Sequence, residues 1–190
     1  MRYRIDIKPP QELAQELEDY LESIGPDVIR PLMLSPHCTI MGLHAHHEDE
    51  AGIIAAVRDI AANMAPFMLT TGGFDLFSDN GGRKNIFVLK LSGPGFQNLH
   101  KEVIEALREF IDWGDYREGD RQDAIWRKYG SSFYGEKFNP HVSMAKVKAE
   151  RVRVGEELAG REWPVASIGV ARREDDGWKT IIEFSLAANR

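Results

Sequence analysis

The chain carries a single cysteine, Cys38, so no intramolecular disulfide can form and no multi-cysteine zinc or iron–sulfur site can be built. No apolar run approaches the roughly 20 residues that a membrane-spanning helix needs. Met1-Arg2-Tyr3-Arg4-Ile5-Asp6 opens the sequence without a signal-peptide hydrophobic region. A reducing, cytoplasmic setting with no membrane partner is the expectation. Positive charge is also in short supply: 24 Lys plus Arg stand against 30 Asp plus Glu, a formal net charge of −6. Such a surface repels long duplex nucleic acid, whereas a small anionic ligand in one local pocket remains compatible with it. What is present, 190 residues with 43% hydrophobic and 28% charged side chains, suffices for a buried core in one domain or in two small lobes sharing a cleft.

Hydrophobic periodicity divides the chain into alternating strands and helices. Tyr3, Ile5 and Ile7 alternate with Arg4, Asp6 and Lys8, a half-buried strand ended by Pro9-Pro10. Leu13, Leu17, Tyr20, Leu21 and Ile24 make one helical stripe, closed by Gly25-Pro26. A strand over His37 to Leu43 follows, then a helix carrying Ile53, Val57, Ile60, Ala61 and Met64 and stopped by Pro66. Phe67 to Phe77 reads as extended, with Gly72-Gly73 marking a bulge. After the turn at Asn80-Gly81-Gly82 the order starts again. A strand runs from Ile86 to Leu91, a third helix carries Leu99, Val103, Ala106, Leu107 and Phe110, and a strand spans His141 to Val147. A charged helix is expected over Glu150 to Leu158, then strands over Val165 to Ala171 and Lys179 to Leu186 joined at Asp175-Asp176-Gly177. The fold class expected is α+β, a bilobal duplicated unit (strand-helix-strand-helix-strand, repeated) with two antiparallel-rich sheets facing a central cleft. The expected extent is one domain over 1–190, with lobe halves of roughly 1–80 and 83–190.

The second strand of each half carries the chemistry. It reads Ser35-Pro36-His37-Cys38-Thr39-Ile40 in one and Asn139-Pro140-His141-Val142-Ser143-Met144 in the other. Successive side chains of a strand alternate faces, so His37 shares a face with Thr39, and His141 with Ser143, while Cys38 points away. A single His-x-hydroxyl triplet reads as a buried, hydrogen-bonded histidine; two with matching flanks point to a shared purpose. Histidine titrates near neutrality, so one ring can serve as base while its protonated counterpart serves as acid. Displacement at a phosphodiester needs both, on opposite sides of phosphorus. The hydroxyls of Thr39 and Ser143, each about 7 Å along its strand from its histidine, can hold the non-bridging oxygens. This scheme requires no metal, no cofactor and no serine or cysteine nucleophile.

On these motifs the chain resembles the 2H phosphoesterases, the LigT-like or 2'-5' RNA ligase superfamily, whose hallmark is two His-x-Thr/Ser-apolar motifs, one per lobe. His37-Cys38-Thr39-Ile40 and His141-Val142-Ser143-Met144 match it, with Ser143 where threonine is commoner. The resemblance implies a bilobal α+β fold with the site in the groove between lobes. It also implies metal-independent cleavage of phosphodiesters in RNA-derived molecules, typically 2',3'-cyclic phosphates or 2'-5' linkages. Lys137-Phe138-Asn139-Pro140 looks like the basic-aromatic lead-in to the second motif found in many members. The expected partner is a small nucleotide or RNA terminus, bound by a monomer. Rival readings are a 2'-5' RNA ligase running the reverse reaction and a non-catalytic module whose histidines only bind nucleotide phosphate.

The interval before the second motif is the longer of the two, through an insertion over roughly 112–136. It carries Trp113, Tyr116, Trp126, Tyr129, Phe133 and Tyr134 among Arg117, Arg121, Arg127 and Lys128. Such interleaving can stack a base and meet a phosphate, or it can cap the open end of a lobe. Tyr134 and Lys137 are the substrate-binding candidates. Arg83 and Lys84 are further candidates to meet a phosphate, although the pair reads first as a solvated turn. His44-Ala45-His46-His47 could offer imidazoles to a metal, but nothing else completes a site and the stretch reads as a polar loop. His100 is expected on the polar, solvent-facing side of the third helix.

Overall fold

In the computed structural model of the chain, residues 1–31, 35–78, 84–115, 138–148 and 150–187 are described. Nine strands and three α-helices organise them. The strands are β1 (Arg2–Ile7), β2 (Val28–Pro31), β3 (Cys38–His44), β4 (Phe67–Ser78), β5 (Lys84–Ser92), β6 (His141–Val147), β7 (Glu162–Val165), β8 (Ser167–Glu174) and β9 (Gly177–Ser185). The helices are α1 (Gln11–Ile24), α2 (Glu50–Asn63) and α3 (Pro94–Leu107). Each helix starts and stops for a local reason. Pro10 precedes α1, and Gly25, at φ 57°, closes it by donating its N–H to the Glu22 carbonyl. Pro94 occupies the first turn of α3, where its missing N–H costs nothing.

All strand pairs are antiparallel, in the order β7-β4-β5-β6-β3-β1-β8-β9, with β2 lying against β6. The expected two sheets are thus one continuous, curled sheet. Its middle joint is narrow: β3 and β6 meet at Cys38 opposite Val142. The sheet also interleaves the halves expected at 1–80 and 83–190. Strand β4 pairs with β5 and β7, and β1 pairs with β8. One face of the sheet carries Tyr3, Ile5, Cys38, Ile40, Phe87, Val142 and Met144 into a single core with Leu13, Leu17, Ile53, Val57, Leu99 and Val103 of the helices. Tyr20 of α1 stacks on Phe74 at 4.3 Å, which stacks on Phe87 at 4.8 Å.

Three expectations are corrected. Residues Glu150 to Leu158 form turns and irregular backbone rather than a helix, because β4 claims their polar groups. The Phe74 N–H donates to the Gly155 carbonyl, Gly160 N–H to the Thr71 carbonyl, and the Thr71 hydroxyl to the Leu158 carbonyl. Strands β2 and β7 have no counterpart in the periodicity. Third, His100 is buried, at 2% exposure, and not on a solvent face. The bulge expected at Gly72-Gly73 is present: the β4–β5 register passes from Thr71 opposite Leu91 to Phe74 opposite Leu89, and Gly73 sits at φ 79°.

Candidate active site

His37 and His141 precede or open their strands, and the local backbone handles them identically. The His37 Nδ1–H donates to the Ser35 carbonyl at 2.9 Å, and the His141 Nδ1–H donates to the Asn139 carbonyl at 2.7 Å. Each intervening proline restrains the residue before it to extended backbone, which presents that carbonyl to the ring two residues on. A carbonyl can only accept, so both neutral rings carry their proton on Nδ1 and offer Nε2 as the basic nitrogen.

The register at the joint brings the two motifs together. With Cys38 opposite Val142 in antiparallel strands, Thr39 lies across from His141 and His37 across from Ser143. Directly opposed residues share a face with Cβ atoms about 5 Å apart, and diagonal ones lie at about 7–8 Å. The two histidines therefore sit diagonally on one face, each beside the other motif's hydroxyl. Burial agrees: His37, Thr39, His141 and Ser143 are all half-buried, while Cys38 and Val142 are fully buried on the far face.

Each strand also bulges at the same step past its motif. The β1–β3 register passes from Asp6 opposite Thr39 to Ile5 opposite Met41, skipping Ile40; the β5–β6 register passes from Val88 opposite Ser143 to Phe87 opposite Ala145, skipping Met144. A bulge adds a residue and re-aims the strand, here just beyond the histidine and hydroxyl.

The surroundings of the two rings differ. Burial pushes the His37 pKa below the usual imidazole value, the nearby Arg4 and Lys8 charges push it the same way, and the Ser35 hydrogen bond and Asp6 carboxylate oppose them. Asp6 is fully buried on the same face as Thr39, and its Oδ2 holds Arg4 at 2.7 Å, with the Arg4 guanidinium 4.8 Å from the Trp178 ring centroid. His141 is also pushed down by burial, with its ring 4.8 Å from that of Phe77. Lys90 stands opposite His141 on β5 and lies 3.8 Å from Asp75. Sequence reasoning missed Arg4, Asp6, Phe77 and Lys90 as neighbours of the site. The alternation of β1 was the available signal, since it puts Arg4 and Asp6 on the face opposite the core.

Tyr134 and Lys137, and most of the insertion over 112–136, lie outside the described residues, as does Arg83. The buried Cys38 thiol is held well above its ordinary pKa by desolvation. Among the described residues, no group of three or more His, Cys, Asp or Glu side chains is placed to hold a metal ion. His46 Nε2 lies 3.6 Å from Asp112. An open groove of about 990 Å³ between α2 and α3, lined in part by Ile60, Met64, Phe67 and Glu102, includes none of the four motif residues. No helix among the described residues is long and apolar enough to cross a membrane.

The described residues thus form a curled antiparallel sheet with helices on its core face and two His-x-hydroxyl strands meeting at its centre. The sequence profile of the 2'-5' RNA ligase superfamily matches residues 9–177, and the chain belongs to that superfamily, the 2H phosphoesterases. A curated protein of Thermus thermophilus named RNA 2',3'-cyclic phosphodiesterase is 28% identical over 141 residues, 73% of this chain and 63% of that protein. The match thus spans less than two thirds of that relative. Among solved structures, the protein TT0787 of Thermus thermophilus superposes with a TM-score of 0.77 at 22% identity, covering 100% of both chains. Escherichia coli LigT complexed with phosphate superposes with a TM-score of 0.68 at 15% identity, covering 98% of this chain and 97% of that one. These structural likenesses carry the fold.

Proposed function

We propose that this chain is a metal-independent phosphodiesterase that hydrolyses a small nucleotide or RNA-terminal phosphodiester, a 2',3'-cyclic phosphate or a 2'-5' linkage, by two-histidine general acid–base catalysis. The observation that carries the reading is the diagonal placement of His37 and His141 on one sheet face, each with Nδ1 tied to a backbone carbonyl. One Nε2 accepts the proton of the attacking water. The new P–O bond forms as the bond to the leaving ribose oxygen breaks, and the other imidazolium delivers its proton to that oxygen. Thr39 and Ser143 donate to the non-bridging oxygens, where charge concentrates in the transition state. Both transferred protons are accounted for by the chain's own groups. We assign Tyr134 and Lys137 to substrate binding, and read the two halves as a duplicated unit, since both motif strands bulge at matching residues. Cytoplasmic location and a monomeric state belong to the same proposal.

The superfamily match and the named Thermus relative favour this substrate class. The test is turnover of 2',3'-cyclic mononucleotides and 2'-5' dinucleotides in excess chelator. Hydrolysis persists, and His37→Ala and His141→Ala each abolish turnover while phosphate still binds to the remaining motif. Wild-type turnover in either variant, or loss with chelator restored by zinc, overturns the mechanism. Joining of cyclic-phosphate and 5'-hydroxyl ends without net hydrolysis supports the ligase reading instead.

A further inference from the structure

A buried imidazole outside the site requires an explanation, because desolvating a polar ring is unfavourable unless its nitrogens and faces are used. His100, in the middle of α3, is such a ring, and its Nδ1 and its flat face each meet a residue that belongs to or leads into a motif strand. We propose that His100 is a positioning residue that couples the two motifs, fixing the strand of His37 and Thr39 through a ring nitrogen and the lead-in to His141 through its flat face. The inference rests on the reading of His37 and His141 as the acid–base pair.

The first contact is with the bulge. His100 Nδ1–H donates to the Ile40 carbonyl at 3.0 Å. Ile40 is the residue the β1–β3 register skips, immediately after Thr39. A bulged residue loses its ladder partner on that side, and a buried carbonyl left unpaired is costly, so the bulge needs a donor from elsewhere in the fold. The α3 side chain supplies it and thereby fixes the backbone step that aims Thr39.

The second contact is with the other motif. Phe138 packs parallel on His100, with ring centroids 3.7 Å apart and an interplanar angle of 6°, and also on Phe96 at 5.2 Å and 16°. Phe96 and His100 are four residues apart and share one helix face, so together they make a flat seat. Phe138 immediately precedes Asn139, whose carbonyl orients His141, and the next carbonyl, that of Pro140, accepts from the Leu91 N–H at 3.0 Å. The helix thus sets the Ile40 carbonyl of one motif and the lead-in of the other from two adjoining side chains.

Histidine is suited to both contacts at once. Phenylalanine has the face without the donor; asparagine has a donor in the place of Nδ1 without the face. Burial lowers the His100 pKa to about 4, so the ring is neutral near pH 7 and does not itself exchange protons in the reaction.

The test compares His100→Phe and His100→Asn with wild type by kcat and KM for a 2',3'-cyclic mononucleotide, thermal melting, and the NMR signals of the His37 and His141 rings. His100→Phe is expected to lower kcat about 10-fold or more with little change in KM, since misplacement of reacting groups costs rate. Its ring perturbation falls mainly on His37. His100→Asn is expected to recover part of that kcat and to perturb mainly His141. Wild-type kcat in both folded variants, or ring signals of His37 and His141 unmoved in both, overturns the coupling. If His100→Phe fails to fold, His100→Asn decides by the same readouts. Full turnover in His37→Ala and His141→Ala would refute the functional reading alone, because the ring signals still report whether His100 links the two strands.

Discussion

At the scale of single residues, the two imidazoles set the pH dependence. Both are pushed below the ordinary histidine value of 6.5, chiefly by burial. The base must be neutral and the acid protonated, so activity falls below the pKa of one ring and above that of the other. With both lowered, the kcat/KM profile is expected to peak on the acid side of 6.5, and a bound phosphodiester, being an anion, favours the imidazolium and moves the kcat profile to higher pH. A kcat/KM maximum above pH 7 would contradict this. Phe77 gives a more local check: Phe77→Ala admits water to His141, and its NMR titration should move up toward 6.5 while that of His37 stays in place. Thr39→Val and Ser143→Ala should each cost about 100-fold in kcat, the usual loss for one preorganised donor. The motif residues were legible because strand alternation fixes which side chains share a face. The position of His100 was not. A stripe drawn from Leu99 to Phe110 puts it on the polar side, but the buried face begins at Phe96 and continues through His100, Val103, Ile104 and Leu107. Periodicity finds an amphipathic helix more reliably than it finds the edge of its buried arc.

At the scale of elements, what the sequence conceals is the competition for backbone hydrogen bonds. Glu150 to Leu158 has enough charge and spacing to read as a helix, yet Gly155 gives its carbonyl to Phe74 and the segment closes over the bulge of β4. The glycines at that bulge were legible as a kink, but not their partner. Gly73 is the tight point: at φ 79° a side chain is strained, and a Cβ there would stand 2.6 Å from the Gly155 carbonyl oxygen. Gly73→Ala is therefore expected to destabilise by about 1–3 kcal/mol. Denaturant midpoints check it, and a midpoint equal to that of wild type would show that 155–160 can move away at no cost. The His100 clamp adds a second element-scale expectation. Its folded pKa, about 4, lies below the unfolded 6.5, so its contribution is complete above pH 6.5 and lost as pH falls through 4. That loss is on the order of 3 kcal/mol, and the stability of His100→Asn should vary less with pH over the same window.

At the scale of the whole molecule, the sheet is strong on its flanks and narrow in the middle. Long ladders join β4 to β5 and β8 to β9, whereas β3 and β6 meet at one residue pair, Cys38 and Val142. Nothing in one strand's pattern announces which distant strand it will neighbour, so the interleaving of β4 and β8 between the halves lay beyond the sequence, although the strands themselves did not. The proposed site straddles that narrow joint, and this has a thermodynamic consequence. A phosphate bound by His37 and Thr39 from one side and by His141 and Ser143 from the other adds a bridge where the sheet has fewest of its own. Binding to the native state alone stabilises it by about 2.7 kcal/mol at a hundredfold excess over Kd, and each kcal/mol moves Tm by roughly 2–4 °C for a chain of this size. Titrating wild type with inorganic phosphate should therefore raise Tm progressively. His37→Ala and His141→Ala should each show a smaller rise at the same phosphate concentration, since losing one imidazole weakens binding and the stabilisation follows the ratio of ligand to Kd. Equal rises in wild type and both variants would place phosphate somewhere other than between the two histidines.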